Sequence, residues 1–334
     1  MRWFPRSTQR PSISGIALVT LIAMPLSTPS PLRAQAGQVA PAQSIRLPDE
    51  ASGTDAIVRT LIAAFDQVDI VALGEAHGRR ADSDLRIALV RHPDFAKKVR
   101  FVVVEFGSTT EQMTLDRYIR GEKVSRAQLA RVWKTTSNGV WDSPIYADFY
   151  AAVRDVNSRL PPEARIRVLG GDPGPTDQRD REAAAVAVLQ EQVLSKHGKA
   201  LVIYGAAHFY RSAPASFGTS AELARALEQA HPGRIFTIIP IGGDLDPPPP
   251  GVSQRNADYR KFESALKAQI RPVLISLQRP PFRALSAEEF LGGGMFSCLG
   301  PGGCRSAFAG SVLTLGQMAD ACVYFGPPPS RARS

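Results

Sequence analysis

Seven short runs of mostly Val, Ile and Leu recur along this chain, and amphipathic stretches separate them. The apolar residues are nearly continuous within each run, which is typical of strands buried on both faces of a parallel sheet. The runs occupy 69–75, 99–107, 165–172, 199–208, 234–242, 271–278 and 321–326. This alternation of strand and helix patterns predicts an α/β fold, with a mostly parallel sheet and helices on both of its faces.

The interval between the second and third runs is too long for one crossover helix. It carries helical patterns at 109–120, 125–134 and 144–159, so we predict a helical insertion at about 109–160, after the second strand. Elsewhere, helices are predicted at 81–95, 175–199 and 219–233. The aromatic residues of the insertion either pack it onto the sheet or form one wall of a substrate cleft; they are Trp133, Trp141, Tyr146, Phe149 and Tyr150.

The N-terminal segment has the pattern of a secretory signal peptide. Three arginines precede an apolar stretch at 13–26, and Ala34-Gln35-Ala36 supplies the small residues that signal peptidase requires. The apolar stretch is shorter than the roughly 20 residues that span a bilayer. We therefore expect cleavage after Ala36, export to the periplasm or beyond, and no integral membrane anchor afterwards. Residues 37–48 are predicted to be a linker, 49–326 a single domain and 327–334 a disordered tail.

Charge and cysteine content narrow the choice of partner and the redox setting. Residues 1–36 hold four arginines and no acids, so the formal net charge of +9 falls to about +5 without them. No basic stripe with interleaved aromatics is present, so we expect a small-molecule substrate or ligand and no nucleic acid.

Cys298 and Cys304 predict a small disulfide loop in an exported protein, with Cys322 left over, although sequence does not fix the pairing.

Ionisable side chains follow four consecutive predicted strands at the point where each strand ends. Because the carboxyl ends of parallel strands meet at one edge, and ligands bind in the crevice outside that edge, these side chains predict a functional site. A glycine accompanies each of them, which allows close backbone approach. The candidates are Glu75 and His77 after the first strand, Glu105 after the second, Asp172 after the third and His208 after the fourth.

These residue types permit two kinds of chemistry. A histidine oriented by a carboxylate acts as a general base on water, and Arg79 or Arg80 would then stabilise an oxyanion. Alternatively, Glu75, His77, Glu105 and His208 are suitable ligands for a divalent metal. No zinc-protease helix, serine nucleophile elbow, P-loop or dinucleotide fingerprint is present.

The same motifs resemble a known superfamily. LGEAHG, VVVEFG, GGD, YGAAHFY and DACVYFG are similar in order and spacing to those of erythromycin esterases, ChaN-like haem-binding lipoproteins and Tiki/TraB-type proteins, over about 65–326. The resemblance implies that Glu75, His77, Glu105 and His208 line the site, and Asp172 matches an acid of the esterases. The single residue between Glu75 and His77 is similar to the ChaN branch. The missing lipid-anchor cysteine and the helical insertion favour the esterases.

Three hypotheses about function follow from the residues and the resemblance together. The leading hypothesis is an exported hydrolase that cleaves an ester or related acyl bond, with His77 as general base, Glu75 or Glu105 orienting it, and His208 polarising the carbonyl or protonating the leaving group. The alternative is a ChaN-like protein that binds haem or a metal through His77 or His208. Metal-dependent peptide hydrolysis is a third hypothesis. The cofactor stays open among none, a divalent metal and haem.

Overall fold

Eight strands in the described part of the chain form one sheet in the order β1-β7-β10-β6-β2-β5-β3-β4. The computed structural model describes residues 45, 48, 50–139, 141–176, 180–214, 222–242, 257–266, 269–291, 296–298 and 304–326. The strands of the sheet are β1 (Glu50–Ser52), β2 (Ile70–Glu75), β3 (Phe101–Ser108), β4 (Arg167–Asp172), β5 (Ala200–Gly205), β6 (Ile235–Ile241), β7 (Val273–Ser276) and β10 (Ala321–Tyr324). A separate hairpin contains β8 (Phe296–Cys298) and β9 (Cys304–Ser306).

The sheet is mixed, although most of it is parallel as predicted. Strands β10, β6, β2, β5, β3 and β4 run parallel to one another, whereas β7 runs antiparallel to both β1 and β10. The carboxyl end of β7 therefore lies at the opposite edge of the sheet from theirs. Strand β1 was not predicted, because three residues give no periodicity to detect. The four strands that carry the candidate residues are adjacent in the order β2-β5-β3-β4.

Helices cover both faces of the sheet. Along β2, Val71 and Leu73 join one apolar cluster, whereas Ile70 and Ala72 join another on the opposite face, because strand side chains alternate. Helices α1, α2 and α6 supply the first cluster, and α7 and α8 the second. The helices in the described residues are α1 (Thr54–Ala64), α2 (Arg80–Arg91), α3 (Phe95–Lys98), α4 (Gln112–Ile119), α5 (Arg126–Lys134), α6 (Pro144–Ser158), α7 (Arg181–Gln192), α8 (Leu223–Ala230), α9 (Ala257–Ala265), α10 (Ala287–Leu291) and α11 (Leu315–Met318).

Helices α4, α5 and α6 occupy the positions predicted for the helical insertion. Their buried residues, among them Leu115, Leu129 and Phe149, belong to the same apolar cluster as α1 and α2. They form part of the layer over one sheet face, and the structure does not set them apart as an insertion. Helix α7 begins at Arg181 rather than at 175, because Asp180 caps it by accepting the backbone N–H groups of Glu182 and Ala183.

Several predictions made from the sequence concern residues outside the described ranges. The signal peptide at 1–36 and the tail at 327–334 lie there entirely, as does all of the linker except residues 45 and 48. Strands β8 and β9 place Cys298 and Cys304 opposite each other in register, but the structure does not describe their side chains. Among the described residues, no helix combines the length and the apolar character that a bilayer crossing demands.

Candidate active site

The exits of β2 and β3 meet at Gly205, the last residue of β5. A Cβ atom placed on Gly205 would lie 2.9 Å from His77 Nε2 and 3.5 Å from Glu105 Oε2. The backbone N–H of Gly205 donates to Glu105 Oε2 at 2.7 Å. His77 and Glu105 therefore face the same side of this glycine, and any larger residue there would displace the imidazole from its present position.

His77 is oriented by the carboxylate of Glu75. Its Nδ1 lies 3.1 Å from Glu75 Oε1, and the two residues share one side of the chain as their spacing predicts. The same carboxylate forms an ion pair with Nη1 of Arg86, whose side chain is almost wholly buried. It also accepts a hydrogen bond from the Tyr146 hydroxyl at 3.3 Å. Tyr146 in turn accepts the backbone N–H of Gly78 at 3.0 Å. A cation and two neutral donors thus replace the hydration that the buried Glu75 carboxylate loses.

The other side of the His77 ring contacts Trp141. The ring centroids are 4.5 Å apart in an edge-to-face arrangement, and Trp141 is buried. The His77 side chain is nevertheless 45% exposed, and Nε2 has no hydrogen-bond partner among the described residues. Nδ1 is held by Glu75, while Nε2 faces Gly205 and stays available for a further hydrogen bond. Trp141 also joins the aromatic cluster around Phe106 with Tyr146. It therefore packs as the first alternative for these aromatics predicted, and the second, a wall of a substrate cleft, stays a prediction.

Glu105 is the buried centre of the site. Its Oε1 accepts His208 Nε2 at 3.1 Å and also the guanidinium of Arg181. Burial by itself disfavours the carboxylate, but the hydrogen bond and charge of His208, together with the charges of His77 and Arg181, hold the pKa of Glu105 at about 2. Glu105 is therefore ionised at any pH near neutrality.

His208 lies in a 3-10 turn directly after β5, with a carboxylate at each ring nitrogen. Nε2 contacts Glu105, and Nδ1 contacts Glu182, whose second oxygen accepts the backbone N–H of Leu223 at 2.9 Å. Burial by itself disfavours the imidazolium, but hydrogen bonds and charges of these two carboxylates raise the pKa of His208 to about 9. The two carboxylates therefore favour the imidazolium form of His208.

Asp172 connects β4 to the loop between α5 and α6. Its carboxylate accepts the backbone N–H and the hydroxyl of Ser137, each at 2.7 Å, and the backbone N–H of Gly174 at 2.8 Å. Arg181 Nε lies 3.3 Å from the same carboxylate and bridges it to Glu105. Asp172 therefore closes the turn after β4 and anchors the loop that carries Trp141.

The two predicted arginine helpers lie elsewhere. Arg79 is buried, pairs through two nitrogens with Asp82 and donates to the Gly242 carbonyl, with Phe325 over its guanidinium. Arg80 is exposed and forms ion pairs at the surface. Two arginines contact the site instead, the buried Arg86 at Glu75 and the partly exposed Arg181 at Glu105, and neither was predicted from the sequence.

Arg181 and Glu182 could have been found from topology. They form the first turn of α7, the helix that follows β4, and such a helix starts at the sheet edge where the strand ends. Because the helix was predicted to begin at 175, these two residues were assigned to its second turn and not to its start.

The predicted metal ligands do not fit a metal ion. Both nitrogens of His208 face carboxylates, so the ring has no lone pair to offer, and Glu105 already accepts from Gly205, His208 and Arg181. Within the described ranges, no three His, Cys, Asp or Glu side chains are grouped to hold an ion. His208 fails as a haem ligand for the same reason, which leaves His77 Nε2 as the site's one candidate axial ligand among those proposed from the sequence.

Comparison with known proteins identifies the fold. No family model and no curated protein matches the chain. A Bacillus cereus protein covers 85% of this chain and 94% of its own, with 14% identity and a TM-score of 0.53. A variant of the erythromycin esterase EreC covers 84% of this chain and 98% of its own, with 10% identity and a TM-score of 0.53. A succinoglycan biosynthesis protein covers 81% of this chain and 90% of its own, with 12% identity and a TM-score of 0.50. The resemblance in the sequence motifs is confirmed at the level of the fold: the chain has the fold of the erythromycin esterase EreC.

Proposed function

We propose that this protein is a hydrolase that cleaves an ester or related acyl bond, with His77 as the general base. The observation that carries the proposal is the pairing of Glu75 and His77: a buried carboxylate binds Nδ1 at 3.1 Å, while the imidazole keeps 45% of its surface exposed. A histidine held in one tautomer by an acid, with its other nitrogen open, is suited to take a proton from water.

The residues around His77 supply the remaining steps. Nε2 takes a proton from a water molecule as the water oxygen attacks the acyl carbon, and the imidazolium is stabilised by Glu75. Arg181 is 32% exposed and shares the Glu105 carboxylate with the site, so its guanidinium is placed to stabilise the oxyanion. The C–O bond to the leaving group then breaks, and the proton on Nε2 passes to the departing oxygen.

The N-terminal pattern and the charge support an exported enzyme acting on a small molecule. We propose removal of residues 1–36 and action in the periplasm or outside the cell. Glu105, Asp172 and His208 are almost wholly buried, and the accessible groups of the site are His77 and Arg181. Such a narrow reactive surface fits an acyl group presented at the edge of the sheet better than a nucleic acid.

A panel of ester substrates tests the proposal with purified protein. We expect hydrolysis by the wild type and a loss of at least 100-fold in kcat/KM for His77→Ala, since a general base typically contributes 10² to 10⁴ in rate. His197→Asn is the matched control, because His197 is exposed with a φ of 54°, which asparagine tolerates. Equal activity in all three proteins would refute the assignment.

Two further arms separate the alternatives. Activity abolished by a chelator and restored by a divalent metal would instead support metal-dependent peptide hydrolysis. A Soret band on titration with haemin that is lost in His77→Ala would support a ChaN-like haem-binding protein. We expect no metal dependence, because the carboxylates occupy both nitrogens of His208. The haemin arm tests His77 Nε2, the candidate haem ligand that remains.

A further inference from the structure

We propose that Glu182 is a positioning residue that holds the His208 ring doubly protonated, so that His208 is a fixed cation behind Glu105 and not an acid, a base or a ligand. The consequence for catalysis rests on the proposed function, but the charge state of His208 does not. Glu182 was not among the site residues predicted from the sequence.

The geometry around the ring requires two N–H donors. Nδ1 meets Glu182 Oε1, and Nε2 meets Glu105 Oε1 at 3.1 Å. An ionised carboxylate only accepts hydrogen bonds, and a neutral imidazole has a single N–H. In either neutral tautomer, one ring nitrogen would direct its lone pair at a carboxylate oxygen. Both contacts are satisfied together only by the imidazolium.

Burial makes this arrangement obligatory rather than optional. His208, Glu105 and Glu182 are each no more than 7% exposed, so water is not available to replace a lost partner. Arg181 contacts Glu105 as well, so two cations balance two carboxylates. Within the described ranges, the other charged or titratable neighbours are His77, whose charge acts on Glu105, Asp172, which pairs with Arg181, and Tyr204, whose ring packs against His208 with centroids 5.4 Å apart.

Glu182 is itself held firmly. It lies in the first turn of α7, and its second oxygen accepts the backbone N–H of Leu223 at the start of α8. Its carboxylate therefore connects two helix starts and the His208 ring. His208 in turn orients the Glu105 carboxylate through Oε1. The other oxygen of Glu105 accepts the backbone N–H of Gly205, beside His77. Glu182 acts on the reacting groups only through this chain of contacts.

The protonation state of His208 can be read directly by ¹⁵N NMR of the imidazole nitrogens. The chain has five histidines, so His208→Asn assigns the signal. We expect both nitrogens of His208 to be protonated at pH 7 in the wild type, with a titration midpoint above 8. In Glu182→Gln, the amide oxygen keeps an acceptor for Leu223 but the charge is lost, so the midpoint falls by at least about one pH unit, a tenfold loss in proton affinity.

Glu191→Gln is the matched control, because Glu191 is exposed on the same helix, and it should leave the midpoint unchanged. A neutral His208 ring in the wild type at pH 7, or an unchanged midpoint in Glu182→Gln, would overturn the proposal. The wild-type spectrum decides the charge state even if Glu182→Gln fails to fold.

The same spectra distinguish failure of this inference from failure of the proposed function. A protonated His208 in a protein without esterase activity would leave the charge state standing and remove the hydrolase proposal. Activity that depends on His77, together with a neutral His208, would do the reverse. In an active enzyme, Glu182→Gln should move the alkaline limb of the kcat profile to lower pH, which a merely structural role would not do.

Discussion

Substitution of Gly205 by alanine tests the placement of His77 without removing any reactive group. Gly205 has φ −52° and ψ 142°, a conformation that alanine adopts without strain. Alanine also keeps the backbone N–H that donates to Glu105 at 2.7 Å. What changes is the added methyl group, which would lie 2.6 Å from His77 Cε1 and 2.9 Å from Nε2.

The size of the effect follows from these distances. Non-bonded carbon atoms pack at about 3.5–4.0 Å, so the imidazole must move by about 1 Å. Misplacement of a catalytic group by this amount costs about 10²-fold in rate, and we expect that loss in kcat/KM. Because the His77 side chain is 45% exposed, the ring escapes toward solvent, and the free energy of unfolding should fall by only about 1 kcal/mol, the low end for overpacking.

The assay is ester hydrolysis and thermal unfolding of four proteins: the wild type, Gly205→Ala, His77→Ala and the double variant. If the methyl group acts through the imidazole, Gly205→Ala should have no further effect on rate or stability once His77 is alanine. Wild-type activity in Gly205→Ala would refute the placement of His77 against this glycine. An equal rate loss in the presence and absence of the imidazole would show that the methyl group acts by another route.

Three further outcomes are expected. The pKa of Glu105 is depressed from 4.5 to about 2, so its contribution to stability is lost as pH falls from about 4.5 toward 2. The pKa of His208 is raised from 6.5 to about 9, so its contribution is present below 6.5 and lost as pH rises through 9. Melting temperatures across pH 2–10 should therefore show a plateau near pH 5–6, and His208→Asn should not show the alkaline loss. Arg181→Ala should lower kcat by at least tenfold in the ester assay, but Arg80→Ala, whose ion pairs are exposed, should change kcat less than twofold. Tyr146→Phe removes a hydroxyl that accepts one hydrogen bond and donates another, and denaturant titration should show a stability loss of about 1–3 kcal/mol.

The sequence was sufficient to predict the sheet edge but not every strand that forms it. Continuous apolar runs identified β2, β3, β4, β5 and β6, because burial on both faces leaves no polar position in a strand. Strand direction has no such signature. The run at 271–278 has the same composition as its neighbours, yet β7 is antiparallel to both, since direction depends on how the connecting segment returns.

The sequence was enough to predict the candidate residues by type and position, but not the side chains that form hydrogen bonds and ion pairs with them. The convergence of His77 with Glu105 was predictable from the exits of parallel strands, and the structure places both at Gly205. The partners of these residues come from helices, where the start of the helix decides which residue faces the edge. Arg181 and Glu182 were missed for this reason, and Arg79 was chosen instead because it is close to His77 in sequence.

The motif Glu75-Ala76-His77 shows why depth matters more than residue type at this edge. Strand β2 ends at Glu75, which stays buried among Arg86 and Tyr146, whereas His77 has already left the sheet and is 45% exposed. Alternation returns the imidazole to the side of the carboxylate, and Nδ1 reaches it at 3.1 Å. His208, in contrast, turns back into the protein between two acids. Two histidines at neighbouring strand ends therefore receive opposite roles in the functions proposed above: His77, which meets a single carboxylate and is exposed, is the proposed base, and His208, enclosed by two carboxylates, is the proposed cation.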